Sequence, residues 1–531
     1  MKISLNINKG FKWFSKDSIY IKGYFFDKKS NFYENDDAIN FLKRIKNRED
    51  FLNFITEING VFSIITTINN TTYLASDISR SFPLFYTFNN NQLYISDTVL
   101  SLKNKFNLSN FNPLSQLEIK ASNHTHGKKT LLNSVFQLQA NEFLIIKDDT
   151  ILENDFIFSY AINKENSSSY NSIKDEVKIA FENSFKRLIN SLNNRMVVIP
   201  LSGGFDSRLI AVFLKKINYK NVVCYTYGNK NSSEIKNSKR VAKKLGFKWF
   251  FIEYSKELTD DYAKSNEFKE FAHFAGKFSS TPNLQEYFAV KYLKENKHIN
   301  KDSVFIPGYA GDLLGGSQFL KVIPKKLKTV QIVDLIIKTK FSNYNLTSKE
   351  TELIKKEIDK NLKNLDKNYQ NKIPSSVFED YDIKEKIAKY IFNSASFYNF
   401  FGYEHRIPFW DKELLTTFKK IPQKYKFNKL LFNDVLIENY FKEFDVNFKT
   451  ELQPNASRII LQKLKNNLKP FFPTFIKQKV LKKNDWNNYQ PITNQLLLEM
   501  KQHNLKVSKK SNDYNEIIAQ WYVYLCKNEI L

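Results

Sequence analysis

VVIPLSGGFDSRLIAVF, residues 197–213, places two adjacent glycines between an apolar run and a run with helical spacing. The chain has only 14 glycines in 531 residues, so Gly203 and Gly204 mark an unusual turn. The residues before them predict a strand over Val197–Leu201, and those after them predict a helix over Asp206–Ile217. A strand, a glycine turn and a helix bring backbone N–H groups and the positive end of a helix dipole together. The stretch therefore predicts an anion-binding turn.

The polar residues of this turn indicate a phosphate and a cation. Ser202 and Ser207 add hydroxyl donors. Asp206 would repel a phosphate unless a cation lay between them, and Mg²⁺ takes oxygen ligands from both. Five fixed positions would recur by chance in a chain of this length about one time in a thousand. We therefore favour a functional site over an ordinary turn.

The residues that follow predict an α/β unit with a parallel sheet. Strands are predicted over Asn221–Tyr227, Lys248–Tyr254 and Ser303–Gly308, with a helix over Ser232–Leu245 between the first two. Alternating strands and helices at this spacing imply right-handed crossovers. Beyond about residue 325 the pattern is mostly helical and rich in lysine.

Residues up to about 155 predict a different, α+β architecture with antiparallel sheets. Gly60–Asp77 consists of two β-branched runs joined by an Asn/Thr turn, the pattern of a hairpin, and Asn89–Asp97 adds a turn and a strand. Residues 36–45 and 48–56 have helical spacing. The serines at 167–169 are the best boundary, so we predict one domain over residues 1–160 and another over 170–531.

The composition narrows the functional classes. The net charge of +26 suits an anionic partner such as nucleic acid, but lysine is abundant throughout the chain. For the densest basic cluster, Lys463–Lys483, we favour a solvated surface. Two cysteines cannot build a disulfide framework, and no run of about 18 apolar residues or secretory pattern is present. We expect a cytoplasmic protein without a membrane span.

A second glycine cluster, PGYAGDLLGGSQ at residues 307–318, follows the predicted fourth strand. It could be no more than a flexible loop. Its position favours a second approach of the backbone to the same phosphate-bearing ligand through Gly308 and Gly311, with Asp312 sharing a metal with Asp206.

LSGGFDSR resembles the pyrophosphate loop of the N-type ATP pyrophosphatases, which activate a carboxylate as an adenylate and release pyrophosphate. The resemblance implies ATP and Mg²⁺, with Tyr225 and Thr226 near the base at the carboxyl edge of the sheet. The residues that would then bind ATP are Leu201, Ser202, Gly203, Gly204, Asp206, Ser207, Tyr225, Thr226, Gly308 and Gly311.

Residues 307–318 and 402–432 resemble two segments of asparagine synthetases. Leu313 stands where that family has Glu, and Tyr309 stands where it has another Glu, as in β-lactam synthetases. There the Tyr belongs to a dyad that deprotonates an amine; aromatic packing is an equally weighted alternative. Lys429 matches a lysine that contacts phosphate and the charge of the transition state. Arg406 is expected to be structural, near Glu404.

Residues 58–102 and 128–149 resemble the class II glutaminase domain of the same family. Those glutaminases use a Cys directly after the initiator Met, with its own amine as the base. This chain begins Met1-Lys2-Ile3-Ser4, and Cys224 and Cys526 lie far along the sequence. We therefore expect a degenerate domain that acts as a scaffold and does not hydrolyse glutamine.

These patterns favour an AMP-forming amide ligase of the asparagine synthetase-like superfamily. Its expected substrates are ATP, a carboxylate on a small molecule, sugar or peptide, and ammonia or an amine. An intramolecular cyclase of the β-lactam synthetase or peptide macrocyclase type, a tRNA-modifying pyrophosphatase and a non-catalytic nucleotide-binding relic remain alternatives. We do not expect nucleic acid as a partner, because the first domain is glutaminase-like. The carboxylate, the nucleophile, the pathway and the oligomeric state stay open, a homodimer included.

Overall fold

The computed structural model describes residues 1–320, 327–448, 485, 487–505 and 514–528. The lysine cluster at 463–483 lies outside these residues, so the prediction made for it stays a prediction. None of the helices described combines the length and apolar composition needed to cross a membrane.

Sixteen strands are described, and their bounds are β1 Lys2–Ser4, β2 Trp13–Lys16, β3 Ile19–Phe26, β4 Phe32–Glu34, β5 Asn59–Ile68, β6 Thr71–Ser76, β7 Phe85–Asn89, β8 Gln92–Ser96, β9 Val135–Gln137, β10 Glu142–Lys147, β11 Thr150–Phe156, β12 Val197–Pro200, β13 Val222–Gly228, β14 Lys248–Glu253, β15 Val304–Phe305 and β16 Glu404–His405.

The α-helices of the described residues are α1 Asn35–Leu42, α2 Arg48–Glu57, α3 Val99–Phe106, α4 Pro113–Ser122, α5 Tyr170–Asn190, α6 Phe205–Lys216, α7 Ser233–Leu245, α8 Lys256–Thr259, α9 Asn266–Gly276, α10 Tyr287–Glu295, α11 Gly311–Leu314, α12 Ile332–Lys340, α13 Ser348–Leu365, α14 Pro374–Asp382, α15 Phe397–Phe400, α16 Lys412–Lys419, α17 Gln423–Lys426, α18 Leu430–Leu436, α19 Tyr489–Gln502 and α20 Tyr514–Asn528. Two π-helical segments span Ile383–Asn393 and Ile437–Phe441.

The parallel sheet is confirmed. Its strand order is β14-β13-β12-β15-β16, and every neighbouring pair is parallel. The predicted strands and the helices α6 and α7 lie within one or two residues of their expected bounds, except that β15 is shorter. The two-residue edge strand β16 was not predicted, because a pair as polar as Glu404–His405 carries no strand signal.

The central strand β12 explains why this sheet forms. Val197, Val198 and Ile199 are all fully buried. Val197 and Ile199 pack into one hydrophobic core and Val198 into another, because successive side chains of a strand point to opposite faces. A strand buried on both faces is typical of a parallel sheet covered by helices.

The first 156 residues form two further sheets. The larger has the order β11-β10-β6-β5-β3-β2, with β4 paired to β3, and its pairs are antiparallel. The hairpin predicted at Gly60–Asp77 is β5 and β6. The smaller sheet has the order β1-β8-β7-β9, and within it β1 runs parallel to β8. The predicted α+β class is therefore confirmed, with one parallel pair in it.

The strand-rich part and the helical part pack against each other. Tyr24 and Val61 share a core with Phe181 and Phe185 of α5, and α5 begins just after Ser169, whose side chain accepts a hydrogen bond from Ser172 N. The predicted domain boundaries near residues 160 and 170 stay a prediction.

Candidate active site

A cavity of about 410 Å³ opens at the carboxyl edge of the parallel sheet. The turns that follow β12 and β15 and the carboxyl end of β13 form its walls, and the segment between α17 and α18 reaches it from the helical part. This is the edge at which ligands bind in open α/β sheets. The predicted site residues that line it are Leu201, Ser202, Gly204, Asp206, Ser207, Tyr225, Thr226, Gly308, Tyr309, Asp312 and Lys429.

The turn after β12 presents backbone donors to an anion. The N–H of Gly203 donates to Glu234 Oε2 at 2.6 Å, so a carboxylate already occupies one of the donors predicted for phosphate. The N–H of Gly204 donates to Ser202 Oγ, and the N–H of Ser202 donates to Ser207 Oγ, both at 3.1 Å.

Gly203 itself does not line the cavity. A Cβ at this position would lie 2.8 Å from Asn237 Cβ, so its glycine is needed for close packing of α7 against the turn. The prediction that Gly203 binds the nucleotide through its backbone stays a prediction. Gly311 also supports the site from behind, since an added Cβ would lie 2.7 Å from Asp206 Cγ.

Asp206 and Asp312 converge on the cavity although 105 residues separate them in the chain. Burial and the negative charge of Asp312 raise the pKa of Asp206 to about 7, against the opposing effect of the Lys429 ammonium. Carboxylate and hydroxyl oxygens form a donor set that suits Mg²⁺.

Lys429 is held at the cavity by an unusual backbone. Asn428 and Lys429 both adopt left-handed conformations, with φ values of 54° and 56°. Neither is glycine, and such a conformation costs about 1–2 kcal/mol for an ordinary residue. The turn places Lys429 close enough to Asp206 to lower the pKa of that carboxyl. Strained residues of this kind gather at functional sites.

Residues 176–438, which contain this entire cavity, match the family model for asparagine synthase. This part of the chain belongs to the asparagine synthetase-like superfamily. It is also similar to the Microcin J25-processing protein McjC of Escherichia coli, with 22% identity over 289 residues, which cover 52% of this chain and 50% of the relative. The chain thus spans about half the length of that relative.

Some solved structures are similar to part of this chain, but their TM-scores are low. The NH3-dependent NAD synthetase of Campylobacter jejuni is 17% identical, covers 37% of this chain and 96% of its own, and has a TM-score of 0.21. The glutamine phosphoribosylpyrophosphate amidotransferase of B. subtilis is 8% identical. The match covers 56% of this chain and 63% of that protein's chain, and its TM-score is 0.18.

The segments that resemble asparagine synthetases depart from the family's pattern at two core positions, where Leu313 replaces Glu and Trp410 replaces Leu. Leu313 and Trp410 are both about 5% exposed and belong to the same hydrophobic core. Leu313 therefore supplies packing where the family has Glu. The expectation for Arg406 is confirmed, since its guanidinium forms an ion pair with Glu404 at 3.0 Å.

Glu286, Glu234 and Tyr398 are site residues that the sequence analysis missed. Glu286 and Glu234 line the cavity, and Tyr398 bonds to Glu286 at 2.7 Å. Glu286 follows a segment with no recognised motif, and Tyr398 is 112 residues away in the chain. No local pattern links the two. The only sequence signal for Glu286 is a charged residue at the start of a helix, which is also the ordinary position of a surface glutamate.

Residues 122–130 form a largely buried loop that holds two histidines. His124, His126 and Glu385 lie close enough to form a candidate metal site. The ammonium of Lys389 already bonds to Glu385 at 2.6 Å, and both histidines have pKa values lowered by burial. The ammonium of Lys389 therefore already neutralises the Glu385 carboxylate, and the cluster joins the loop to the helical part.

Replacing Gly311 by Ala should disable the site without unfolding the protein. The added methyl group would displace the Asp206 carboxylate, whose oxygens would lie 3.0 Å from the new Cβ. We expect pyrophosphate release to fall by about 10²-fold, as for a misplaced catalytic group. Gly246→Ala is the matched control, because that glycine has a φ of +73° but lies outside the cavity. Equal activity losses in the two variants, measured beside their melting temperatures, would contradict this role of Gly311.

Proposed function

We propose that this chain is an ATP-dependent, AMP-forming amide-bond ligase. A substrate carboxylate attacks the α-phosphorus of ATP, pyrophosphate leaves, and an amine or ammonia then attacks the acyl-adenylate. The observation that carries the proposal is the convergence of Asp206 and Asp312 on one cavity beside a turn of backbone donors and Lys429.

Each side chain has a task in this reaction that follows from its position. Asp206 and Asp312 would hold Mg²⁺, which when bound neutralises charge on the departing pyrophosphate. The N–H groups of the turn after β12, which bond to side chains in this structure, and the hydroxyls of Ser202 and Ser207 would orient the phosphates. Lys429 places a positive charge beside the reacting phosphate.

Glutamine hydrolysis is not part of this proposal. The chain has two cysteines, and both Cys224 and Cys526 are fully buried. Burial raises the pKa of Cys526 to about 12 and that of Cys224 further, so neither offers a thiolate. The nucleophile therefore comes from solution as ammonia or an amine, or from the substrate itself.

A carboxylate screen tests the ligase assignment. The protein is incubated with ATP, Mg²⁺, hydroxylamine as a trap and a panel of amino acids, uronic acids and peptides. We expect one carboxylate class to release AMP and pyrophosphate in equal amounts and to yield a hydroxamate. Release of ADP and phosphate would contradict the proposal. Binding of ATP with no turnover across the panel would favour the non-catalytic alternative.

Intramolecular cyclisation is the second candidate. It is favoured by Tyr309, which stands where asparagine synthetases have Glu, and by the similarity to a microcin-processing protein. A cyclase would give a product lighter than its precursor by one water, without uptake of an added amine. Mass spectrometry of the product of the active carboxylate separates the two candidates.

A further inference from the structure

Two buried lysines line a second, much smaller cavity, which has a volume of about 20 Å³. Lys22 comes from β3 of the strand-rich part, and Lys277 directly follows α9 of the helical part. They are 4% and 7% exposed. This cavity shares no lining residue with the candidate active site, so it is a separate feature of the fold.

The other buried lysines that the structure describes each form an ion pair with a carboxylate. These pairs are Lys384–Asp380 at 2.7 Å, Lys389–Glu385 at 2.6 Å and Lys426–Glu379 at 2.8 Å. Neither Lys22 nor Lys277 forms such a pair with any described residue. The two buried lysines that lack a carboxylate partner are thus the two that line this one cavity.

The ammonium of Lys22 lies at this cavity. It donates to Ile7 O at 2.7 Å and lies 5.3 Å from the centre of the Phe82 ring, and both of these residues line the cavity. An ammonium has three N–H donors, and among the described residues Ile7 O is the one acceptor that Lys22 has. Burial lowers the pKa of Lys22 to about 8, although the charge of Asp97 opposes this shift.

The ammonium of Lys277 also has a neutral partner alone. It donates to Asn393 Oδ1 at 3.0 Å and lies 5.4 Å from the centre of the Phe274 ring, which lines the cavity. Burial and the positive charges of Arg80 and Lys22 lower the pKa of Lys277 well below its usual range. Lys22 and Lys277 therefore lie close enough to repel each other.

Asp97 lines the cavity, but it does not pair with either lysine. Its Oδ1 accepts the N–H of Asn6 at 3.0 Å, and its Oδ2 accepts the N–H of Ile7 at 2.9 Å and the indole N–H of Trp13 at 2.8 Å. The carboxylate is therefore bonded to three groups of the N-terminal segment. One carboxylate could in any case balance only one of the two ammonium charges.

We propose that this cavity binds a chloride ion between the ammonium groups of Lys22 and Lys277. A space of about 20 Å³ accommodates one water molecule or one ion of similar size and is too small for a bulky organic anion. A buried charge without a partner is costly, so an anion that enters here is favoured by two such charges at once. The site is independent of the proposed ligase function.

The bound ion joins the two parts of the chain. Lys22 lines the cavity from the strand-rich part, whereas Lys277, Ser396 and Asn399 line it from the helical part. A ligand that binds the folded state and not the unfolded state stabilises the fold as its concentration rises. Chloride therefore raises the melting temperature with a dependence on concentration that saturates once the site is full.

Thermal unfolding of the full chain at pH 7 tests this proposal. Sodium chloride is exchanged for sodium gluconate at equal ionic strength, so that general screening by salt is the same in both buffers. We expect the melting temperature to be about 1–3 °C higher in saturating chloride than in gluconate. Sodium bromide should act like sodium chloride, because the two ions have the same charge and similar size.

Lys277→Met and Lys22→Met each remove one ammonium and keep an unbranched side chain. We expect each variant to melt at the same temperature in chloride as in gluconate. The matched control is the double variant Asp380→Asn with Lys384→Met, which removes a buried ammonium together with its partner, outside the cavity. This control should retain the full difference between the two buffers, whatever its own stability.

Anomalous scattering from crystals of the full chain soaked in sodium bromide locates the ion directly. A bromide peak in contact with both ammonium nitrogens supports the site. A water molecule in that place, or equal melting temperatures of the wild type in chloride and gluconate, would overturn it, and the two lysines would then be neutral. An unchanged chloride response in both Lys277→Met and Lys22→Met would also overturn it, because the response would come from ions bound elsewhere.

Discussion

Asp206→Asn should abolish carboxylate-dependent pyrophosphate release, with a loss of about 10³-fold or more, because the site would lose one of its two metal-binding carboxylates. The asparagine side chain has nearly the same shape, so the cavity and the turn after β12 should keep their geometry. The loss would therefore report on charge. Asp312→Asn should have an effect of the same order, and the double variant should add little to either.

The same substitution should stabilise the folded protein in the absence of Mg²⁺. The pKa of Asp206 is raised to about 7 in the folded state, from 3.8, chiefly by burial and by Asp312. A carboxyl with a raised pKa binds its proton more tightly in the folded state, so its ionisation destabilises the fold progressively between about pH 4 and pH 7. In Asp206→Asn this loss disappears, and we expect the variant to be more stable by roughly 1 kcal/mol above pH 7. Below about pH 4 the two proteins should be equal.

Thermal unfolding with EDTA between pH 5 and pH 8, beside the pyrophosphate assay, measures both effects. Asp36→Asn is the matched control, because Asp36 also lies in the first turn of a helix but is exposed and outside the cavity. Full activity in Asp206→Asn would contradict the metal role. An unchanged melting temperature at pH 8 would contradict the electrostatic description of the pair.

The parallel sheet could be predicted because its signals are local. The apolar run Val197, Val198 and Ile199 predicts a strand buried on both faces, and the glycine pair that follows predicts the turn. The proximity of Asp206 and Asp312 could be predicted in the same way. Parallel strands end at one edge of the sheet, and both residues follow such strands.

The sequence could not predict the groups that depend on distant neighbours. Glu286 is distinguished by three tyrosine hydroxyls that come from other elements of the fold. Burial of the loop at Ser122–Thr130 likewise depends on Glu385 and Lys389, more than 250 residues away. For Gly203, the glycine itself predicted a tight turn. Its close approach to α7 depends on packing, which the sequence does not reveal.

Lys429→Met should reduce the maximal rate of pyrophosphate release by about 10²–10³-fold while changing the KM for ATP much less. The reason is that the ammonium stabilises charge that grows on the α-phosphate as the carboxylate attacks, so its contribution is larger in the transition state than in the bound substrate. Arginine should not restore the rate, because its planar fork and greater length suit a different geometry.

The left-handed turn at Asn428 and Lys429 allows a second test of the role of Lys429. Asn428→Gly removes the side chain that disfavours the left-handed backbone while keeping Lys429, so it should retain most of the activity and gain stability. Lys424→Met is the matched control, because Lys424 is an exposed lysine of α17 whose ammonium lies over the Tyr425 ring, outside the cavity. If Lys429→Met and Lys424→Met gave equal rates at saturating ATP, the positive charge at the cavity would have no part in the chemistry, and the left-handed turn would serve only the packing of α18.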